Sequence, residues 1–92
     1  MKNRTRIEIY ASILQNLEQM SETGLKITRI SYGAGIPTDR ARKYVNLLMS
    51  AGLIAPHIED NTYFTITKHG IRFLESFYIL QGYLDEMNEG SL

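Results

Sequence analysis

No cysteine occurs among the 92 residues. Disulfides are therefore excluded, and so are zinc sites built on thiolates. The lack fits a reducing cytoplasm, and a cytoplasmic location is expected. No apolar run reaches the ~18 residues of a membrane span, so no membrane partner is expected. The basic start, Met1 to Arg6, runs into Glu8 and Glu18, so no secretory leader is expected either. Net charge is missing too: ten basic and ten acidic residues cancel. That balance argues against bulk coating of nucleic acid. The length leaves no room for a second domain. So short a chain buries only roughly 60% of its unfolded surface, so stabilisation from outside the monomer is expected.

The charges that are present are unevenly placed. Residues 1–45 hold eight basic and four acidic side chains, and residues 46–92 hold two and six. One basic working surface and one acidic end are expected.

Local signals divide the chain into elements. Thr5 with Glu8 reads as a capping box for a first helix over about 6–21. Its apolar face is Ile7, Tyr10, Ile13, Leu14, Leu17 and Met20. Gly24 ends that segment, and Leu25-Lys26-Ile27 is a short extended piece. Thr28 is expected to cap a second helix, about 29–34. Gly33, Gly35 and Pro37 mark a turn. Thr38 is expected to cap a third helix, about 39–51, with Ala41, Tyr44, Val45 and Leu48 inward and Gly52 as its stop. Leu53-Ile54 opens a strand, Glu59-Asp60-Asn61 is a polar turn, and residues 62–67 return as a strand. Thr67 then caps a last helix over about 68–88. Helix, turn, helix and hairpin in this order make a winged helix-turn-helix. The expected fold is mainly α with a small β-hairpin, one domain over 1–92. Residues 1–67 form the helix-turn-helix and wing, and 68–90 form a long C-terminal dimerisation helix.

Thr28-Arg29-Ile30-Ser31-Tyr32-Gly33-Ala34-Gly35, Tyr44-Val45-Asn46-Leu47-Leu48-Met49 and Gly52-Leu53-Ile54 carry a family resemblance. Tyr63 to Gly70, with Phe73-Leu74, adds a generic wing-to-helix junction. The chain resembles the small archaeal winged-helix DNA-binding proteins that dimerise through a C-terminal helix. The resemblance covers about residues 4–87. It implies DNA binding in a chromatin-associated or regulatory role, without catalysis or cofactor. Two features depart from the family pattern: the wing tip is acidic at Glu59-Asp60, and the last helix is shorter than the one members of the family often carry.

Arg and Lys read guanine edges and Asn reads adenine, from the N-terminal half of a recognition helix. Thr38, Arg40, Arg42, Lys43 and Asn46 are therefore the candidate base-reading residues. Arg4, Arg6, Lys26, Arg29 and Tyr32 are candidate phosphate contacts, which set register and much of the affinity. Each is alternatively a solvated surface residue. Tyr32-Gly33-Ala34-Gly35 lacks the Lys-Ser/Thr ending of a nucleotide loop. His57 and His69 lie in different elements, so no metal site is expected. No serine sits in a nucleophile-elbow pattern, so no enzyme is expected. In the last helix, Ile71, Leu74 and Tyr78 form a stripe that closes the core. Phe73, Phe77, Leu80, Leu84 and Met87 form a second stripe at heptad spacing, the candidate homodimer interface. Double-stranded DNA and a second copy of the chain are the expected partners, with no small-molecule ligand evident. A regulator is favoured over a chromatin coater. A winged-helix protein-interaction module that does not bind DNA is the alternative.

Overall fold

The computed structural model describes residues 4–90, so Lys2 of the basic half lies outside the described residues. Four helices and three strands follow in the order α1 (Arg6–Gln19), β1 (Leu25–Lys26), α2 (Ile27–Ala34), α3 (Thr38–Ser50), β2 (Ile54–Pro56), β3 (Tyr63–Ile66) and α4 (Lys68–Gly90). At the start of α1 the capping box is formed. Thr5 Oγ1 accepts the Glu8 N–H at 3.2 Å, and the Glu8 carboxylate accepts the Thr5 N–H at 2.8 Å.

Two expected caps lie elsewhere. α2 starts at Ile27 with Lys26 as its N-cap, so Thr28 is already helical. The cause is the sheet. Lys26 pairs with Tyr63 and Leu25 with Phe64, which holds Lys26 extended until the residue where the helix begins. α3 starts at Thr38 with Pro37 as its N-cap. Thr38 therefore lies inside the first turn, and its hydroxyl donates to Ser31 Oγ at 3.4 Å. Ser31 in turn donates to the Ile36 carbonyl. These bonds tie the α2–α3 turn from both sides. Gly35 closes α2 at φ +66°, a left-handed conformation that glycine adopts without Cβ strain.

The hairpin of β2 and β3 gains a third strand. The antiparallel order is β1-β3-β2, with Ile54 opposite Ile66 and Pro56 opposite Phe64. The expected hairpin is present, and β1 extends it to a three-stranded sheet. A two-residue strand such as β1 is too short to show a period of two.

The core gathers Ile13, Leu14 and Leu17 of α1, Ile30 of α2, Val45 and Leu48 of α3, Ile54 of β2 and Leu74 of α4. On α1 the buried set also includes Ile9 and Ala11, whereas Ile7 and Met20 at its ends are exposed. α4 is fixed at its start by Thr67, whose Oγ1 accepts the Gly70 N–H at 3.1 Å and donates to the Gly52 carbonyl at 2.6 Å. Gly70 lies so close to the sheet that a Cβ there would sit 2.4 Å from the Leu53 carbonyl oxygen.

Beyond Leu74 the helix leaves its own core. Phe73 and Phe77 still pack half-buried against it, but Leu80, Leu84 and Met87 are exposed. Tyr78, expected to close the core, is 47% exposed, because Leu74 is the last residue of α4 that the core buries. Ile79 and Tyr83 are each 63% exposed. The molecule is 50 Å long, and its radius of gyration is 14.1 Å. A compact chain of this length has roughly 12 Å; the overhanging helix accounts for the difference.

Candidate nucleic-acid interface

Three elements meet around the N-terminal half of α3. Ala41, Val45 and Leu48 are buried, which turns Asp39, Arg42, Lys43, Asn46 and Ser50 outward, all exposed. Arg42 lines a concavity of about 400 Å³ with Lys26 and Thr28 at the β1–α2 junction and Asn61 and Thr62 of the wing. The ammonium of Lys26 lies 5.3 Å from the Tyr63 ring centre, which places it beside β3. The α2 N-terminus adds its unpaired N–H groups and partial positive charge. The surface can therefore accept anionic oxygens along one edge and present Arg, Lys and Asn beyond it.

In the sequence the wing reads as one acidic tip, and the structure divides it. Glu59 and Asp60 border a different hollow with Glu22, Thr23, His57 and Tyr63. Asn61 and Thr62 face Arg42. The tip is internally braced. Asp60 Oδ1 accepts the Thr62 N–H at 3.0 Å and the Thr62 hydroxyl at 2.6 Å. These bonds, the hydroxyl one foremost, hold the Asp60 carboxyl below its ordinary range, with Lys26 and His57 adding to the effect. His57 Nδ1 accepts the Glu59 N–H at 3.1 Å, and its Nε2 lies 3.2 Å from the Glu22 carbonyl. The two contacts together select the tautomer protonated at Nε2.

The other candidates fall into groups. Arg29 is exposed on α2, and Tyr32, one turn on, is 86% exposed; spacing of three puts both on one face. Arg4 donates to the Ala34 carbonyl at the end of α2, which anchors the N-terminal segment to the helix-turn-helix. Arg6 is exposed at the start of α1. Arg40 is exposed on the α1 side of α3.

Tyr44 was assigned only to the core from its spacing, and here it does more. It is half-buried, edge-on to Tyr10 of α1 at 5.5 Å between ring centres. Its hydroxyl accepts a bond from Arg40 Nη2 at 3.1 Å, and the guanidinium lies over its ring at 5.7 Å. Arg40, through that bond, holds the phenol below its ordinary pKa, and the charges of Arg40, Arg6 and Lys43 act in the same direction. The signal in the sequence was the four-residue Arg40–Tyr44 spacing. Asn61, Thr62 and Thr28 were likewise missed as lining residues. Their positions depend on the path of the wing loop and the start of α2.

Among the described residues, no group of three His, Cys, Asp or Glu side chains is placed to hold a metal ion. No helix among them is long and apolar enough to cross a membrane.

Comparison with known proteins finds the same fold. The structure of Sso10a-2, a DNA-binding protein from Sulfolobus solfataricus, aligns with 30% identity and a TM-score of 0.70, covering 96% of this chain and 93% of that one. MepR, a transcription regulator of the Staphylococcus aureus multidrug efflux pump MepA, aligns at TM-score 0.73 and 17% identity, over 90% of this chain and 62% of that one. The PcaV transcriptional regulator from Streptomyces coelicolor aligns at 0.70 and 19%, over 99% of this chain and 64% of that one. At these identities the two regulators show the shared fold. No curated protein matches the chain. The sequence profile of the winged helix-turn-helix family matches residues 3–85, and with the 30% identity to Sso10a-2 over nearly its whole length, the chain belongs to the winged helix-turn-helix family.

Proposed function

We propose that this is a DNA-binding winged-helix domain that acts as a dimeric transcriptional regulator, with α3 in the major groove. The observation that carries the reading is the juxtaposition of Arg42 with Lys26, Thr28 and the polar wing residues Asn61 and Thr62 in one concavity. Arg42, Lys43 and Asn46 are the base-reading side chains, and Thr38 and Arg40 flank them. Lys26 and Arg29 lie where a phosphate backbone would run beside α2, with Tyr32 next to Arg29. Arg6 lies on the α1 side. The one departure from the expected phosphate set is Arg4. Its bond to Ala34 makes it first a brace for α2, with further donors left for an anion.

A regulator suits the charge better than a coater. Sequence-blind affinity grows with the number of phosphates neutralised, and this chain carries no net charge. Dimerisation rests on the exposed apolar side chains of α4, which water would otherwise solvate at a cost. With Phe73 and Phe77 half-buried in their own protomer, Leu80, Leu84 and Met87 supply most of the expected contact.

A binding selection on random duplexes tests this reading. Wild type is expected to enrich a palindromic site with half-sites one helical turn, or a multiple of it, apart. Arg42→Ala and Lys43→Ala should each weaken the preferred site by roughly 1–3 kcal/mol if the contact is bidentate to a base. Asn46→Ala should relax sequence preference, and Arg29→Ala should weaken all sequences alike. If wild type enriches nothing and the α3 variants bind as wild type does, the protein-interaction module replaces this reading.

A further inference from the structure

The exposed surface of α3 has two flanks. At 3.6 residues per turn, Arg40 and Arg42 project about 160° apart. Arg42 stands on the flank shared with β1, α2 and the wing. Arg40 stands on the flank shared with α1, where it is held by Tyr44, and Tyr44 is itself set edge-on against Tyr10 of α1. Lys43 lies between the two flanks. The charges of Arg6, Arg40 and Lys43 all reach the Tyr44 oxygen, so this second flank is cationic and is assembled from two helices.

A free Arg samples many rotamers, and fixing it costs side-chain entropy on binding. Here a ring face and a hydroxyl hold the guanidinium in advance, and only one of its five N–H donors is directed at the hydroxyl. The major groove is roughly 12 Å wide and admits one helix. Side chains on opposite flanks of that helix then face opposite walls of the groove, each lined by a phosphate backbone.

Resting on the DNA-binding reading, we infer that Tyr44 is a positioning residue that sets Arg40 against the phosphate backbone on the α1 side of the groove. Arg40 is on this view a phosphate clamp, opposite the wall met by Lys26 and the α2 N-terminus, and base reading is left to Arg42, Lys43 and Asn46. The wing side alone would leave α3 free to rock in the groove. A fixed cation on each flank defines its depth and tilt.

The test measures DNA affinity of the full chain on one duplex at several salt concentrations, for wild type, Arg42→Ala, Arg40→Ala, Tyr44→Phe and the Arg40→Ala/Tyr44→Phe pair. Tyr44→Phe keeps the ring on Tyr10 and removes only the oxygen, so its thermal midpoint should match wild type. Arg40→Ala removes one phosphate contact from each protomer of the bound dimer, so it should lower the salt slope by about 1.8, at about 0.9 per contact. Wild type would then lose about 12-fold more affinity than this variant from 50 to 200 mM salt, which follows from that slope. Tyr44→Phe should weaken binding in the same direction, and the double variant should be no weaker than Arg40→Ala, because the two act as one unit. Arg40→Lys with Tyr44 present should keep the slope. An unchanged slope in Arg40→Ala, or additive losses in the double variant, overturns the inference. If Arg42→Ala weakens binding while Tyr44→Phe does not, the clamp fails and the DNA-binding reading stands. If wild type binds no duplex at low salt, both fall.

Discussion

The overhang of α4 gives the most quantitative expectation for assembly. Leu80 is 49% exposed and Leu84 43%, and neither packs in the protomer's core. Replacing both by Ala therefore removes surface that only another molecule can cover. Leu exceeds Ala by three carbon groups, each worth about 0.8 kcal/mol when fully buried. Roughly half of each side chain remains open to a partner, so each site is worth about 1 kcal/mol by the same scale. A twofold dimer carries four such sites, which makes about 4–5 kcal/mol, or roughly three decades in the dimer dissociation constant at 1.4 kcal/mol per decade. Ala is the best helix former, so α4 itself should persist and the far-ultraviolet circular dichroism should stay unchanged. Sedimentation equilibrium over a range of micromolar concentrations reads the constant directly. Wild type should also show a thermal midpoint that rises with protein concentration, and the double Ala variant should lose that dependence. A wild-type mass of one chain throughout the range, or a variant that associates as tightly as wild type, would refute the reasoning.

Two further outcomes follow from local geometry. Gly70→Ala should destabilise the domain strongly, by the roughly 1–3 kcal/mol typical of overpacking a tight site, because its Cβ would meet the Leu53 carbonyl at 2.4 Å and the Ile66 side chain at 2.6 Å; a thermal midpoint equal to wild type would show that α4 can shift away without loss. Because the Thr62 hydroxyl and N–H hold the Asp60 carboxyl below its ordinary range, the ionised form is favoured in the folded wing. Its contribution is therefore present above the unfolded carboxylate pKa and is lost as pH falls through the lower folded value. Thr62→Val removes the hydroxyl and keeps the N–H, so it should raise the Asp60 titration midpoint toward the ordinary range when followed by carboxyl carbon nuclear magnetic resonance; an unmoved midpoint would assign the depression to the residue 62 N–H, Lys26 and His57 instead.

The legible parts of the fold were those decided within a few residues. The Thr5–Glu8 box, the Gly35–Pro37 turn and the Thr67 cap each rest on a bond or dihedral preference spanning at most four positions. The two misplaced caps show where that locality ends. Thr28 and Thr38 have suitable hydroxyls, but β1 pairing fixes where α2 begins, and Pro37 already holds the extended conformation before α3. The pairing of Leu25 with Phe64 joins residues far apart in sequence, and two residues carry no periodic signature. The candidate site was legible as a list of exposed cations on α3. Its division into flanks was not. Periodicity places Tyr44 near the edge of the buried arc, and spacing alone cannot tell a core ring from a ring whose oxygen holds an arginine. The two faces of the wing were hidden for a similar reason: adjacent turn residues point to opposite hollows only once the loop path is fixed.

That division of the wing also changes what the acidic residues mean for binding. An acidic tip pressed toward phosphate would oppose the complex. Glu59 and Asp60 border the hollow beside Glu22, and the neutral Asn61 and Thr62 are the wing residues that line the concavity with Arg42, so no carboxylate lines that concavity. α4 adds Glu75, Asp85 and Glu86, all exposed, on the helix that leaves the core. Like charges disfavour any approach of DNA to those faces, whereas α2 and α3 attract it, so encounter is oriented as well as driven. A neutral chain built this way gives up non-specific affinity, which depends on the phosphates neutralised. The quantity that matters for finding a site among many competing sequences is the ratio of specific to non-specific binding. In the proposed complex, base contacts from Arg42, Lys43 and Asn46 would raise the numerator, and the acidic residues would lower the denominator. The absence of net charge, which argues against bulk coating of nucleic acid, is in this arrangement compatible with the selective binding proposed.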